Sequence, residues 1–77
     1  MEISLLDLQT GKTAKISRVE GGSEAQSKLA ALNIRVGKTV KKITMQPFRG
    51  PVVIAIGNTK VTLGRGLAMK IFVEPEK

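Results

Sequence analysis

Seventy-seven residues make one small domain, residues 1–77, since chains of this size do not divide into two independent cores. The chain has no cysteine, histidine, tryptophan or tyrosine. That excludes disulfides, thiolate and imidazole metal ligands, the usual neutral-pH acid/base and the strongest stacking side chains. Thirteen basic against six acidic residues give a net charge of +7, an imbalance that favours an acidic partner: nucleic acid, an anionic lipid surface or an acidic protein.

In chain order, Ser4 to Leu8 reads as one helical turn with Ser4 as N-cap, closed by Gly11 and lying as a lid. Thr13 to Val19 alternates apolar Ala14 and Ile16 with polar Lys15 and Ser17, the period of a half-buried strand, and Gly21-Gly22 ends it. Ser23-Glu24-Ala25-Gln26 fits a capping box, so a helix starts there with Ser23 as N-cap and an apolar stripe of Ala25, Leu29 and Leu32. Asn33 stops the helix in the left-handed conformation, and Ile34 packs back on its last turn.

The second half is rich in Val, Ile and Thr, as strands are. Val40, Ile43 and Met45 change phase at Lys41-Lys42, which predicts a bulge in a bent strand. Gln46 to Pro51 is a loop, because two prolines and a glycine in six residues cannot continue a ladder. Val52 to Ile56 and Lys60 to Leu63 flank Gly57-Asn58, the chain's strongest hairpin signal. Gly64 to Met69 makes a single turn before a last strand, Lys70 to Val73. These elements predict a mainly β fold: an SH3-like barrel of about five antiparallel strands with one inserted α-helix and short helical turns.

No apolar run exceeds Val52 to Ile56, too short to span a bilayer, and the N-terminus lacks the basic and apolar regions of an export signal, so a cytoplasmic protein is expected. The six acids are Glu2, Asp7, Glu20, Glu24, Glu74 and Glu76, all near the two ends of the chain. Converging carboxylates would have to come from folding alone, and no nucleophile has an evident base beside it, so an enzyme is not expected. Transition-metal sites favour imidazole with carboxylate, or thiolates, so no metal site and no cofactor are expected either. Glu24 reads as a complement to the helix dipole, and Gly21-Gly22-Ser23 and Gly64-Arg65-Gly66 read as turns, not phosphate loops.

Between Ala25 and Val73 lie nine cations (Lys28, Arg35, Lys38, Lys41, Lys42, Arg49, Lys60, Arg65 and Lys70) and no anion. Candidate partner-binding residues are Phe48 and Arg49 on the proline-glycine loop, Arg65, Leu67 and Met69 in the turn before the last strand, and Lys41 and Lys42 at the bend. Each has a structural alternative. Phe48 can fold over the open end of the barrel, Leu67 and Met69 can plug it, and Lys41-Lys42 can be a solvated bend.

The order Leu5-x-x-Leu8-x-x-Gly11, Gly21-Gly22, Leu29-x-x-Leu32-Asn33-Ile34-x-x-Gly37, Pro47-x-x-Gly50-Pro51-Val52 and Leu63-x-Arg65-x-x-Ala68-x-x-Ile71-x-Val73 resembles the FeoA family across nearly the whole chain. Asn33, where the family usually has glycine, and Val36, where proline is common, depart from the pattern without altering backbone shape. The resemblance implies an SH3-like barrel, also found as the C-terminal domain of iron-dependent repressors. It further implies a non-enzymatic accessory protein of bacterial ferrous iron uptake whose partner is the cytosolic GTP-binding region of the membrane transporter FeoB, which would recruit it to the inner face of the membrane. Two other readings stay open: a small basic nucleic-acid-binding barrel, which two phenylalanines equip poorly for stacking, and a self-associating domain with exposed sheet edges.

Overall fold

A computed structural model describes residues 1–45 and 50–76, with no account of the Met45 side chain. Six strands form one antiparallel sheet in the order β1-β6-β2-β3-β4-β5. They are β1 (Ile3–Ser4), β2 (Thr13–Val19), β3 (Thr39–Met45), β4 (Val52–Ile56), β5 (Thr59–Leu63) and β6 (Ile71–Pro75). A 3₁₀ turn (Leu5–Asp7) follows β1, helix α1 (Ser23–Ala31) joins β2 to β3, and the single turn α2 (Arg65–Ala68) joins β5 to β6. The expected mainly β barrel with one inserted helix is what forms.

The sixth strand is β1, whose two residues pair Ile3 with Val73 and Ser4 with Phe72. Two residues carry no period, so nothing in the sequence marks them as a strand. The last strand begins one residue later than expected and runs on to Pro75, opposite Ala14. A proline is tolerated there because it ends the ladder.

Two register shifts bend the sheet. One lies between Ile16 and Arg18 of β2, the other between Lys42 and Thr44 of β3, close to the phase change read at Lys41-Lys42. Before its shift β3 alternates strictly: Val40 is buried, Lys41 exposed and Lys42 buried again. The lysine at an inward position is the first departure from a purely apolar core.

The β4–β5 hairpin forms as read, with Ile56 opposite Thr59 and Gly57 at φ +60° supplying the conformation that a two-residue turn needs. Val52, Ile54 and Ile56 point inward from β4, Val61 and Leu63 from β5, and Ile71 and Val73 from β6. Leu5, Leu8, Ala14, Ile16, Leu29, Ile34, Val40 and Ala68 complete a continuous core.

The start of α1 differs from the capping-box reading. Gly22 is the N-cap, no side chain caps the helix, and Ser23 lies inside it. Gln26 instead reaches back with its side-chain amide to the carbonyls of Val19, at 3.3 Å, and Gly21, at 3.4 Å, tying the helix to the end of β2. The end of α1 follows expectation. Asn33 has φ +67°, its N–H donates to the Ala30 carbonyl and that of Ile34 to the Leu29 carbonyl, both at 2.9 Å, a Schellman closure that buries Ile34. Of the expected stripe only Leu29 is fully buried; Ala25 is half-buried, and Leu32, at the C-cap, is 38% exposed.

Candidate interaction surface

The buried lysine accounts for how the N-terminal segment is held. Lys42 Nζ donates to the carbonyl oxygens of Leu5 (3.2 Å), Leu6 (2.9 Å) and Leu8 (2.7 Å); the Leu5 carbonyl also accepts the Leu8 N–H at 3.2 Å, while a short turn leaves the other two without a backbone donor. Ser4 Oγ closes the other end of the turn by accepting the Leu6 N–H at 3.2 Å. Lys42 is 2% exposed, so it is neither a solvated bend nor able to present its ammonium to a partner. Burial pushes its ammonium below the usual lysine value, partly opposed by the Asp7 carboxylate.

A second tie holds the chain start from the outer side. The Glu2 carboxylate accepts from Arg18 Nε (3.1 Å) and Nη2 (2.9 Å) and from the Ser17 hydroxyl (2.7 Å). Arg18 also pairs with Glu20 and lies 4.1 Å over the Phe72 ring. The hydrogen bonds from Arg18, then that from Ser17, hold the Glu2 carboxyl below the ordinary glutamate value. A depressed carboxylate contributes stability that is complete above its unfolded value and is lost as pH falls through the folded one. Glu2→Gln is therefore expected to cost stability near neutral pH and to converge with the unsubstituted protein in acid; urea midpoints across that range check this.

Glu2 and Glu20 thus gather around Arg18, while a row across the sheet beyond it is cationic. Thr13 of β2, Lys41 of β3, Ala55 of β4 and Lys60 of β5 stand opposite one another in a row across the outer face. Among the described residues every ion pair involves Arg18, so Lys41 and Lys60 face solvent without a carboxylate partner. Phe72, half-buried beneath Arg18, offers no open ring for a base to stack on.

The turn before the last strand divides its side chains between core and solvent. Ala68 is the residue of α2 that is fully buried, Leu67 packs partly against the core, Arg65 is half-buried and Met69 is 55% exposed. Met69 therefore does not plug the barrel. Its exposure beside Arg65 makes an apolar and cationic pair on one turn. Phe48 and Arg49 lie outside the described residues.

No three His, Cys, Asp or Glu side chains converge among the described residues. At the start of α1, Gly21 has φ +108° and packs against Lys70, whose Cδ lies 3.0 Å from where a Cβ would stand. Substitution there would collide with the lysine stem, so this glycine serves packing as well as the turn.

The FeoA domain model matches residues 3–75. A candidate Fe(2+) transport protein A of Methanocaldococcus jannaschii is 36% identical over 64 residues, covering 83% of this chain and 76% of its own. An Fe(2+) transport protein A/Fe(2+) transporter FeoB fusion protein of Porphyromonas gingivalis is 37% identical over 70 residues, 91% of this chain but 8% of the fusion. Among solved structures, an iron uptake regulatory protein (FeoA) superposes with a TM-score of 0.91 at 26% identity over 99% of this chain and 100% of its own. Iron(II) transport protein A from Clostridium thermocellum gives 0.88 at 32% identity over 95% of this chain and 45% of its own. A manganese-dependent transcriptional repressor gives 0.90 at 21%, over 97% of this chain and 42% of its own, a likeness of fold alone. With sequence and fold in agreement over nearly the whole length, this chain belongs to the FeoA domain family of Fe(2+) transport accessory proteins.

Proposed function

We propose that this protein is a non-enzymatic accessory subunit of ferrous iron uptake that binds the cytosolic GTP-binding region of FeoB and regulates the transporter. The observation that carries the reading is the relative in which an Fe(2+) transport protein A and FeoB form one polypeptide. Joining two domains in one chain raises their effective concentration, which is useful when the two work in contact. No helix among the described residues is long and apolar enough to cross a membrane, so the transporter supplies the recruitment to the inner membrane face.

The contact is proposed to use the half-buried Arg65 with exposed Met69 and the partly buried Leu67, extended by the exposed Lys41 and, beyond the described residues, by Phe48 and Arg49. Apolar anchors ringed by cations concentrate binding energy in a few side chains and suit an acidic surface. In cells lacking this protein, the unsubstituted chain is expected to restore uptake of radiolabelled ferrous iron. The double variant Arg65→Glu/Met69→Asp, present at equal level, is expected to lower the uptake rate about tenfold. Equal uptake with and without the protein contradicts the reading.

A further inference from the structure

We propose that the free edge of β5 is a second docking site, which takes an extended segment of a partner protein with alternating acidic and apolar residues. Apart from Lys41, a neighbour in the same outer-face row, it uses none of the residues assigned to the FeoB contact, and it stands without that reading.

Strand β5 is the last in the sheet order, paired with β4 alone. Because Ile56 and Thr59 flank the two-residue turn, alternation of the ladder aims the N–H and C=O of Thr59, Val61 and Leu63 at β4. The N–H and C=O of Lys60 and Thr62 then point away from the sheet, and no bond from either to another described backbone group occupies them. An added strand, about 4.8 Å away, would meet them directly.

The two faces beside that edge dictate the chemistry of the occupant. On the outer face, the row of Thr13, Lys41, Ala55 and Lys60 ends at the edge with an unpaired cation. A residue added opposite Lys60 becomes the next member of the row, and a carboxylate there makes a cross-strand pair with it. On the inner face, a groove of about 250 Å³ runs along the same edge, lined by Ala31, Leu32, Asn33, Ile56, Thr59 and Val61. Leu32 is 38% exposed in it. Alternate residues of the added strand would point into that groove, which suits apolar side chains.

Lys60 also selects against the other obvious occupant. Edge lysines oppose pairing between identical strands, and a second copy would bring its own Lys60 and a net charge of +7 to the same edge. An acidic strand meets attraction where a second copy meets repulsion.

The probe is an acetylated, amidated octapeptide of alternating glutamate and valine, titrated into the ¹⁵N-labelled protein. Saturable binding is expected, with the Lys60 and Thr62 amides shifting and gaining protection from hydrogen exchange. Lys60→Glu is expected to weaken binding about tenfold. Thr62→Pro, which removes one outward donor at a position where an edge strand accepts proline, is expected to weaken it while leaving the rest of the spectrum in place. A peptide with the four glutamates and four valines in separate blocks should bind more weakly. Equal binding of the block peptide, shifts scattered over all the lysines without protection of β5, or self-association through β5 would each overturn the proposal.

Discussion

Lys42→Met is expected to lower the unfolding free energy by about 3 kcal/mol, and the melting temperature by about 15 °C for a domain of this size. Methionine matches the length of the stem and removes a costly buried charge, so area alone would predict little change. The carbonyl oxygens decide the sign: all three lose their shared donor, and those of Leu6 and Leu8 are left unsatisfied, whereas that of Leu5 still accepts the Leu8 N–H. Each unsatisfied buried acceptor costs about 1 kcal/mol or more, and together they outweigh the relief of removing the charge. The loss should be local as well as global. Amides of the 3₁₀ turn and of β1 should exchange faster in the variant relative to those of β4.

The pH dependence gives a second check on the same residue. Burial lowers the folded value of Lys42, so below it both folded and unfolded chains hold the proton and the cost of the buried charge is complete. As pH rises from that lowered value towards the usual lysine value, the folded chain releases its proton first and stability increases. The methionine variant should lack this alkaline increment. Equal stability of the two proteins at neutral pH would show that water satisfies the carbonyls and that Lys42 does not hold the turn.

Leu29→Ala is expected to destabilise by about 3.5 kcal/mol, the lost transfer energy of the side chain plus the cavity it leaves. Leu29 is the fully buried residue of α1, and neither Ala25 nor Leu32 replaces it on the core. A helix with one full anchor cannot redistribute the loss, and nine residues do not hold a helix in water without packing. Hydrogen exchange should therefore report α1 opening well before the sheet. Loss of less than about 1 kcal/mol in denaturant unfolding would mean that the helix is held by its Schellman closure and Gln26 instead.

These two residues show where the fold is legible in the chain and where it is not. The β4–β5 hairpin is written locally, in five alternating residues on each side of Gly57-Asn58, and Asn33 carries its left-handed turn in its own side-chain preference. Helix α1 is visible too, but its start is misread because Ser23 and Gln26 have the spacing of a capping box. Gln26 finds better acceptors in Val19 and Gly21, which lie near it only once β2 has been placed. Lys42 is harder. The inward position was readable from Val40 and exposed Lys41, yet nothing local announces that three carbonyls from a distant turn will surround the ammonium.

The candidate contact surface was legible only in part, for a related reason. The cationic bias of the middle of the chain is plain in the sequence, and folding collects the described acids Glu2 and Glu20 around Arg18. Which apolar side chains stay outside is a property of packing. Ala68, small and unremarkable in sequence, takes the core position in α2 and leaves Met69 in solvent. Metal ligation has no sequence signal in a chain without histidine or cysteine, and among the described residues no three His, Cys, Asp or Glu side chains converge.

Calorimetric titration of this protein into the isolated cytosolic region of the cognate FeoB, at physiological salt and with each guanine nucleotide in turn, tests the proposed partnership most directly. Saturable heat in at least one nucleotide state, abolished by Arg65→Glu/Met69→Asp in a variant of unchanged stability, is the result predicted. Absence of saturable heat in every nucleotide state would contradict it.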